Sequence, residues 1–145
     1  MVKCKTIGML DIAKNNPAIT KDVAVDNYSF LTHDGEVYVA MNERVGDNEI
    51  ATIAAGDYIN GFLVKAWEGQ YIIADESHIA YEEGETYADI VVGTTLFTIS
   101  NGKLAVAESA PADGVYFKCV KKCNLTEKAV ELLVCEADKD TEAQA

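Results

Sequence analysis

The sequence has no long apolar run. Nothing in it approaches the ~18 apolar residues of a membrane-spanning helix. The opening MVKCKTIGMLDIAKNN carries lysines but neither an apolar h-region nor a small-residue cleavage site. The expectation is therefore a chain made and kept in a cytosol, bound to no membrane. A block of Lys or Arg is missing as well. Against 12 basic residues stand 24 acidic ones, for a formal net charge of -12. Such a surface repels a phosphate backbone, which argues against nucleic acid as a partner.

The cysteines form no disulfide framework: Cys4, Cys119, Cys123 and Cys135 are dispersed. Cys119 and Cys123 invite a metal reading, but the knuckle glycine of zinc ribbons and fingers is missing and VKK fills the interval. On a regular strand these two sulfurs share a face roughly 13 Å apart at ~3.3 Å per residue, too far for a disulfide or for two ligands of one ion. Reduced, half-buried thiols are expected.

Catalytic groups are equally sparse. Ser29, Ser77, Ser100 and Ser109 lack the G-x-S-x-G elbow that exposes a nucleophile. Of the two histidines, His33 adjoins a turn and is expected to be exposed. His78 lies in ADESHIAYEEGETYAD among Asp75, Glu76, Glu82, Glu83 and Glu85. Those carboxylates suit a hard cation in type but lack the alternating spacing and central glycine of an ion-binding loop. A solvated acidic loop is the plainer reading. In TIAAGDYINGFLVKAWEGQ, Gly56 and Gly61 have the spacing of a phosphate loop. Phe62 and Leu63 then stand where its lysine and hydroxyl belong, so the nucleotide reading fails. Gly56, Asn60-Gly61 and Glu68-Gly69 read instead as turns. No catalytic, cofactor or metal residue is assigned, and the chain is read as not an enzyme.

What the sequence does hold is hairpins. NYSFLTHDGEVYVAMN and TTLFTISNGKLAVAE each place two β-rich runs around Asp34-Gly35 or Asn101-Gly102. Those dipeptides accept positive φ at both centres of a type I′ turn. Further strands are expected at Glu49 to Ile53, Phe62 to Trp67, Gln70 to Ala74 and Ala88 to Val92. GVYFKCVKK and KAVELLVCEA read as a final antiparallel pair around NLTE. The second has a helical alternative capped by Thr126, set aside because VELLVC is a better strand.

Residues 1–20 depart from this pattern as an N-terminal arm, either extended or a short helix capped by Thr6 and ended before Pro17. Residues 21–136 form the β domain, and 137–145 a flexible acidic tail. The fold class is all-β, a single compact β-sandwich or barrel of short antiparallel strands and hairpins. Trp67, the only tryptophan, anchors either the core or a subunit contact.

KTIGMLDIAKNNP, NYSFLTHDGEVYV, AGDYINGFLVKAWEGQ and YADIVVGTTL resemble small proteins of tailed bacteriophages that belong to the head module, beside the major capsid protein. The resemblance runs from about residue 3 to 135 and carries no site motif. It implies a capsid decoration or auxiliary head protein, bound outside the assembled shell and doing no chemistry. Its implied location is the virion surface, its partners the major capsid protein lattice and other copies of itself. Ile7, Met9, Leu10 and Ile12 of the arm, with Trp67, are the candidate contact residues, the alternative for the arm being that its apolar residues close one end of the core. The alternative is a β-barrel module for a small ligand or cation, or a small enzyme.

Overall fold

Turns with positive φ set the strand register. The structure, a computed structural model, describes residues 2–4, 18–42, 51–124 and 127–137. In chain order its strands begin with β1 (Val2–Cys4), β2 (Ala18–Ile19), β3 (Val25–Asp26), β4 (Phe30–His33), β5 (Glu36–Ala40) and β6 (Thr52–Ile53). They continue with β7 (Ile59–Leu63), β8 (Tyr71–Asp75), β9 (Ile79–Ala80), β10 (Leu96–Ser100), β11 (Lys103–Ala107), β12 (Val115–Asn124) and β13 (Lys128–Glu136). Asp34 and Gly35, at φ 50° and 79°, close the β4–β5 hairpin, and Asn101 and Gly102, at 52° and 76°, close β10–β11. Both are the mirror-image turns whose twist matches that of paired strands.

The strands form a seven-stranded sheet in the order β1-β8-β13-β12-β10-β11-β9 and a four-stranded sheet in the order β2-β7-β5-β4. A small ribbon pairs β3 with β6. All pairings are antiparallel except β11 with β9. The all-β reading holds, and among the described residues neither of the larger sheets closes on itself.

The four-stranded sheet is apolar on both faces, because side chains alternate along each strand. Phe30 and Val39 lie opposite one another and join Phe62 in the larger core, where Phe97, Phe117, Ile72, Val130 and Leu132 of the seven-stranded sheet meet them. Leu31, Tyr38 and Leu63 point the other way, toward Ile19, Ile53 and Ile59. The β3–β6 ribbon thus supplies a third layer.

Several sequence expectations change here. The strand expected from Phe62 to Trp67 ends at Leu63, and Val64–Trp67 is a 3-10 turn. With three residues per turn, that geometry puts Val64 and Trp67 on one side, and both are fully buried. The expected strand at Ala88 to Val92 is absent. Tyr87–Asp89 is a 3-10 turn with a Thr86/Asp89 capping box, and of the residues that follow Ile90 is buried while Val91 and Val92 are exposed. Of Glu49 to Ile53 the strand covers Thr52–Ile53, and residues 49–50 lie outside the described residues. KAVELLVCEA is a strand throughout its centre, so the helical alternative is excluded. The arm's expected helix falls on residues outside those described. Its flanks, Val2–Cys4 and Ala18–Ile19, are short strands on β8 and β7.

A bulge at Val120 corrects the cysteine geometry. Cys119 pairs with Leu132 and Lys121 with Glu131, so β12 spends one extra residue there. Side-chain parity reverses, and Cys123 faces away from the side that Cys119 shares with the core. Burial raises the Cys119 thiol above its ordinary value. A second bulge opposes Tyr28 and Ser29 to Ala40 through Tyr28 N–H to Ala40 O (2.7 Å) and Ala40 N–H to Ser29 O (3.0 Å). Beside it Asn27, nearly buried, donates to Asn42 O and accepts from Asn42 N–H, both at 2.9 Å. Asn42 in turn donates to Tyr58 O (2.9 Å) and accepts from Asn60 N–H (2.8 Å). The Asn42 amide fastens the end of β5 to β7, and the Asn27 amide ties the segment before β4 to that same end.

Gly61, read from the sequence as part of a turn, is mid-strand. A Cβ there would lie 2.6 Å from Ile19 Cδ1 and 3.1 Å from Tyr38 Cδ1, so any side chain at this position must push Ile19 aside and crowd Tyr38. Gly61→Ala is expected to cost about 1–3 kcal/mol in urea denaturation. Ile19→Val in the same chain should recover part of that loss, because it removes the Cδ1 atom in the way.

Candidate functional site

A cleft of about 550 Å³ with apolar and charged walls runs along the outer edge of β4. Phe30, Leu31 and Thr32 form its floor, the segment from Lys21 to Asp26 one wall, and Ser77, His78 and Asn101–Lys103 the other. It lies where two sheet ends meet, since β4 ends the four-stranded sheet and β9 the seven-stranded one.

Each wall is held in place. Phe30 packs against the Phe117 ring at 5.6 Å and meets the His78 ring edge-on at 6.4 Å. The β10–β11 turn comes so close that a Cβ on Gly102 would sit 3.1 Å from Phe30 O. Lys21 reaches across the edge, its Nζ donating to Thr32 O at 2.7 Å, while its own carbonyl accepts from Gly56 N–H at 2.9 Å. An unpaired strand edge is a hazard that proteins blunt with lysines and packed loops, and β4 is blunted by both.

His78 is the sequence candidate that the fold does place in this cleft. Its side chain is 11% exposed, with Nε2 4.0 Å from Asp75 Oδ1. Burial, the largest influence, holds the imidazole below its ordinary pKa. His33 lies elsewhere, partly exposed, 3.3 Å from Asp34 and edge-on to Tyr38. The carboxylates around His78 do local structural work. Asp75 accepts from Ser77 N–H (3.0 Å) and from the Ser77 hydroxyl, capping the 3-10 turn Glu76–His78. Glu76 accepts from Tyr81 OH at 3.0 Å, and burial together with that bond raises the phenol's pKa. Glu82 and Glu83 are exposed. Among the described residues, no three His, Cys, Asp or Glu side chains gather as ligands of one ion.

Lys21 and Lys103 were invisible as site residues, because nothing in the sequence relates positions 21, 78 and 103. The Asn101-Gly102 turn was legible, but not the backbone it would press against. Two further charged places are local. Lys65 pairs with Glu36 at 2.9 Å beside a smaller opening of about 220 Å³ that Asp113 and Glu136 also line. The hydrogen bond and charge of Glu36 raise the Lys65 pKa. At the end of the β12–β13 hairpin the ammonium groups of Lys122 and Lys128 lie 4.9 and 5.6 Å from the Tyr87 ring centre. The Tyr87 hydroxyl is 2.8 Å from Ala129 O and 3.2 Å from Cys123 O, both acceptors.

Of the candidate contact residues, Ile7, Met9, Leu10 and Ile12 lie outside the described residues. Trp67 is wholly buried in the larger core, so it presents no surface to a neighbour and leaves that set. The exposed large apolar side chains include Tyr58 (75%), Val91 (55%) and Val92 (50%). Among the described residues no helix is long and apolar enough to cross a membrane. Compared with models of known families, with curated proteins and with solved structures, the chain has no match.

Two outcomes follow from the geometry of the cleft. Gly35→Ala places a side chain at φ 79° in open space, a backbone strain of about 1–2 kcal/mol. Gly102→Ala meets a similar strain at φ 76° and also crowds Phe30 O, so its thermal midpoint should fall further. The second outcome concerns pH. The folded state disfavours charged His78, whereas the unfolded chain takes up that proton near pH ~6.5. Below that value the unfolded state binds more protons, so stability falls as pH falls until the lower folded-state value is reached. The slope is at most about 1.4 kcal/mol per pH unit. Urea denaturation between pH 7.5 and 5 should show His78→Gln losing less stability than the parent chain.

Proposed function

We propose that this protein is a structural virion protein, a decoration or auxiliary protein on the outside of a tailed-phage capsid. The observation that carries the reading is the anchoring of the N-terminal segment. Its two described flanks pair with different sheets, β1 at one end of the seven-stranded sheet and β2 at one end of the four-stranded sheet. The stretch that connects them carries Ile7, Met9, Leu10 and Ile12 and opens the phage-like phrases. An apolar segment tied at two sheet edges suits contact with a capsid lattice or a second copy. Tyr58, Val91 and Val92 add apolar area on the described surface.

The mechanism is repetition. A single small contact is weak, but copies bound to a lattice and to one another gain effective concentration, which multiplies occupancy without new contacts. The net charge of -12 favours a basic patch on the capsid protein and steers the approach. The work of the protein is then to hold neighbouring subunits together.

Purified phage particles test this directly. The protein should sediment with heads in stoichiometric amount and detach under mild treatment. Leu10→Glu and Tyr58→Glu chains with unchanged circular dichroism should rebind stripped heads at least about tenfold more weakly, since each puts a charge where an apolar contact is needed. Absence of the protein from particles would sink the reading.

A further inference from the structure

The β4 cleft runs against the electrostatics of the rest of the chain. Lys21 and Lys103 line it together with His78; among its described lining residues Asp26 is the carboxylate, and Asp75 stands 4.0 Å from His78 Nε2. The whole sequence carries 24 acidic residues against 12 basic ones. A local excess of cations in so acidic a protein marks a place where an anion is tolerated better than elsewhere on the surface.

One of the cations is also positioned. Lys21 is fixed at both ends, by its carbonyl to Gly56 N–H and by its ammonium to Thr32 O. An ammonium has three donors, and Thr32 uses one of them. Lys103, exposed, follows directly on the Asn101-Gly102 turn that lies against Phe30 O. Binding to groups already held in place costs less ordering than binding to free side chains.

The occupant is small rather than a strand. An added β-strand would have to displace both Gly102 from Phe30 O and Lys21 from Thr32 O. A volume of about 550 Å³ instead falls in the range of small-molecule pockets, roughly 300–1,000 Å³, which pair an apolar body with a few polar anchors. Val23 and Val25 supply the apolar part, while Phe30 and Leu31, whose side chains are buried in the two cores, border the cleft along their strand edge.

We propose that this cleft binds a small organic carboxylate, its charge held between Lys21 and Lys103 and its apolar body over Val23 and Val25. Of the described residues invoked for capsid contact, Tyr58, Val91 and Val92 are not among those lining the cleft, and neither reading requires the other.

The test is a nuclear magnetic resonance titration of the full ¹⁵N-labelled chain with benzoate, and with benzamide as its uncharged counterpart. Benzoate should shift the amides of Phe30 to Thr32, His78 and Gly102 saturably, with Kd on the order of 1 mM for so few atoms. Benzamide should bind at least about fivefold more weakly, as loss of a charge-assisted contact requires. Lys103→Met, at an exposed position, should weaken benzoate by a similar factor, whereas Lys121→Met on β12 should not. Lys21→Arg should retain binding that Lys21→Met loses. Because Lys21 also caps Thr32, Lys103→Met decides the charge question if Lys21→Met unfolds. Absence of saturable shifts, equal binding of benzamide, or indifference to Lys103→Met would each overturn the proposal.

Discussion

A sheet with two dry faces is the constraint on which this fold rests. In an ordinary two-layer protein the register of a strand is policed by polarity, because a slip of one residue turns its apolar side toward water. Here a slip of β4 against β5 would exchange Phe30 and Val39 for Leu31 and Tyr38, all of them apolar. Polarity alone cannot forbid that exchange. The register therefore depends on the Asp34-Gly35 turn, whose positive φ values allow one closure of the hairpin, and on shape. Gly61 is the clearest mark of shape, since the β7 strand fits between Ile19 and Tyr38 with no side chain there. The third layer, β3 with β6, exists because the second dry face must be covered.

That constraint explains what was legible in the sequence. The β4–β5 and β10–β11 hairpins announced themselves through Asp34-Gly35 and Asn101-Gly102, because turn chemistry is local. The long β12–β13 pair was legible from its β-rich runs. Gly61 was not, because the reason for glycine there is Ile19, forty-two residues away, and a glycine in sequence looks like a turn. Trp67 misled for a related reason. Its run FLVKAW is β-rich throughout, yet the core takes Val64 and Trp67 together, and only a 3-10 turn aligns them. The bulge at Val120 left no local mark either, so the shared face expected for Cys119 and Cys123 was lost. The candidate site was half legible. His78 stood out as one of two histidines, while Lys21 and Lys103 acquire meaning only when the two sheets bring their ends together.

The acidic character of the chain looks different once its carboxylates are placed. Asp75, Glu76 and Asp89 cap short turns or accept from a tyrosine, and Glu36 pairs with Lys65. Such contacts are individually small, since exposed ion pairs contribute roughly 0–1 kcal/mol. Their value is geometric, fixing the loops that connect a fold made of short strands. The β4 cleft is the exception, where two lysines stand beside Asp26 and one of them serves to close a strand edge.

Trp67 gives the molecule a reporter of its own. It is the sole tryptophan, fully buried, and its indole N–H has no hydrogen-bond partner among the described residues. An indole in such surroundings emits toward the blue and shifts red when water reaches it. Because its 3-10 turn joins β7 of one sheet to β8 of the other, that colour reads the seam between the sheets. Any loosening of one sheet from the other, before either unravels, would be visible in the light from a single residue.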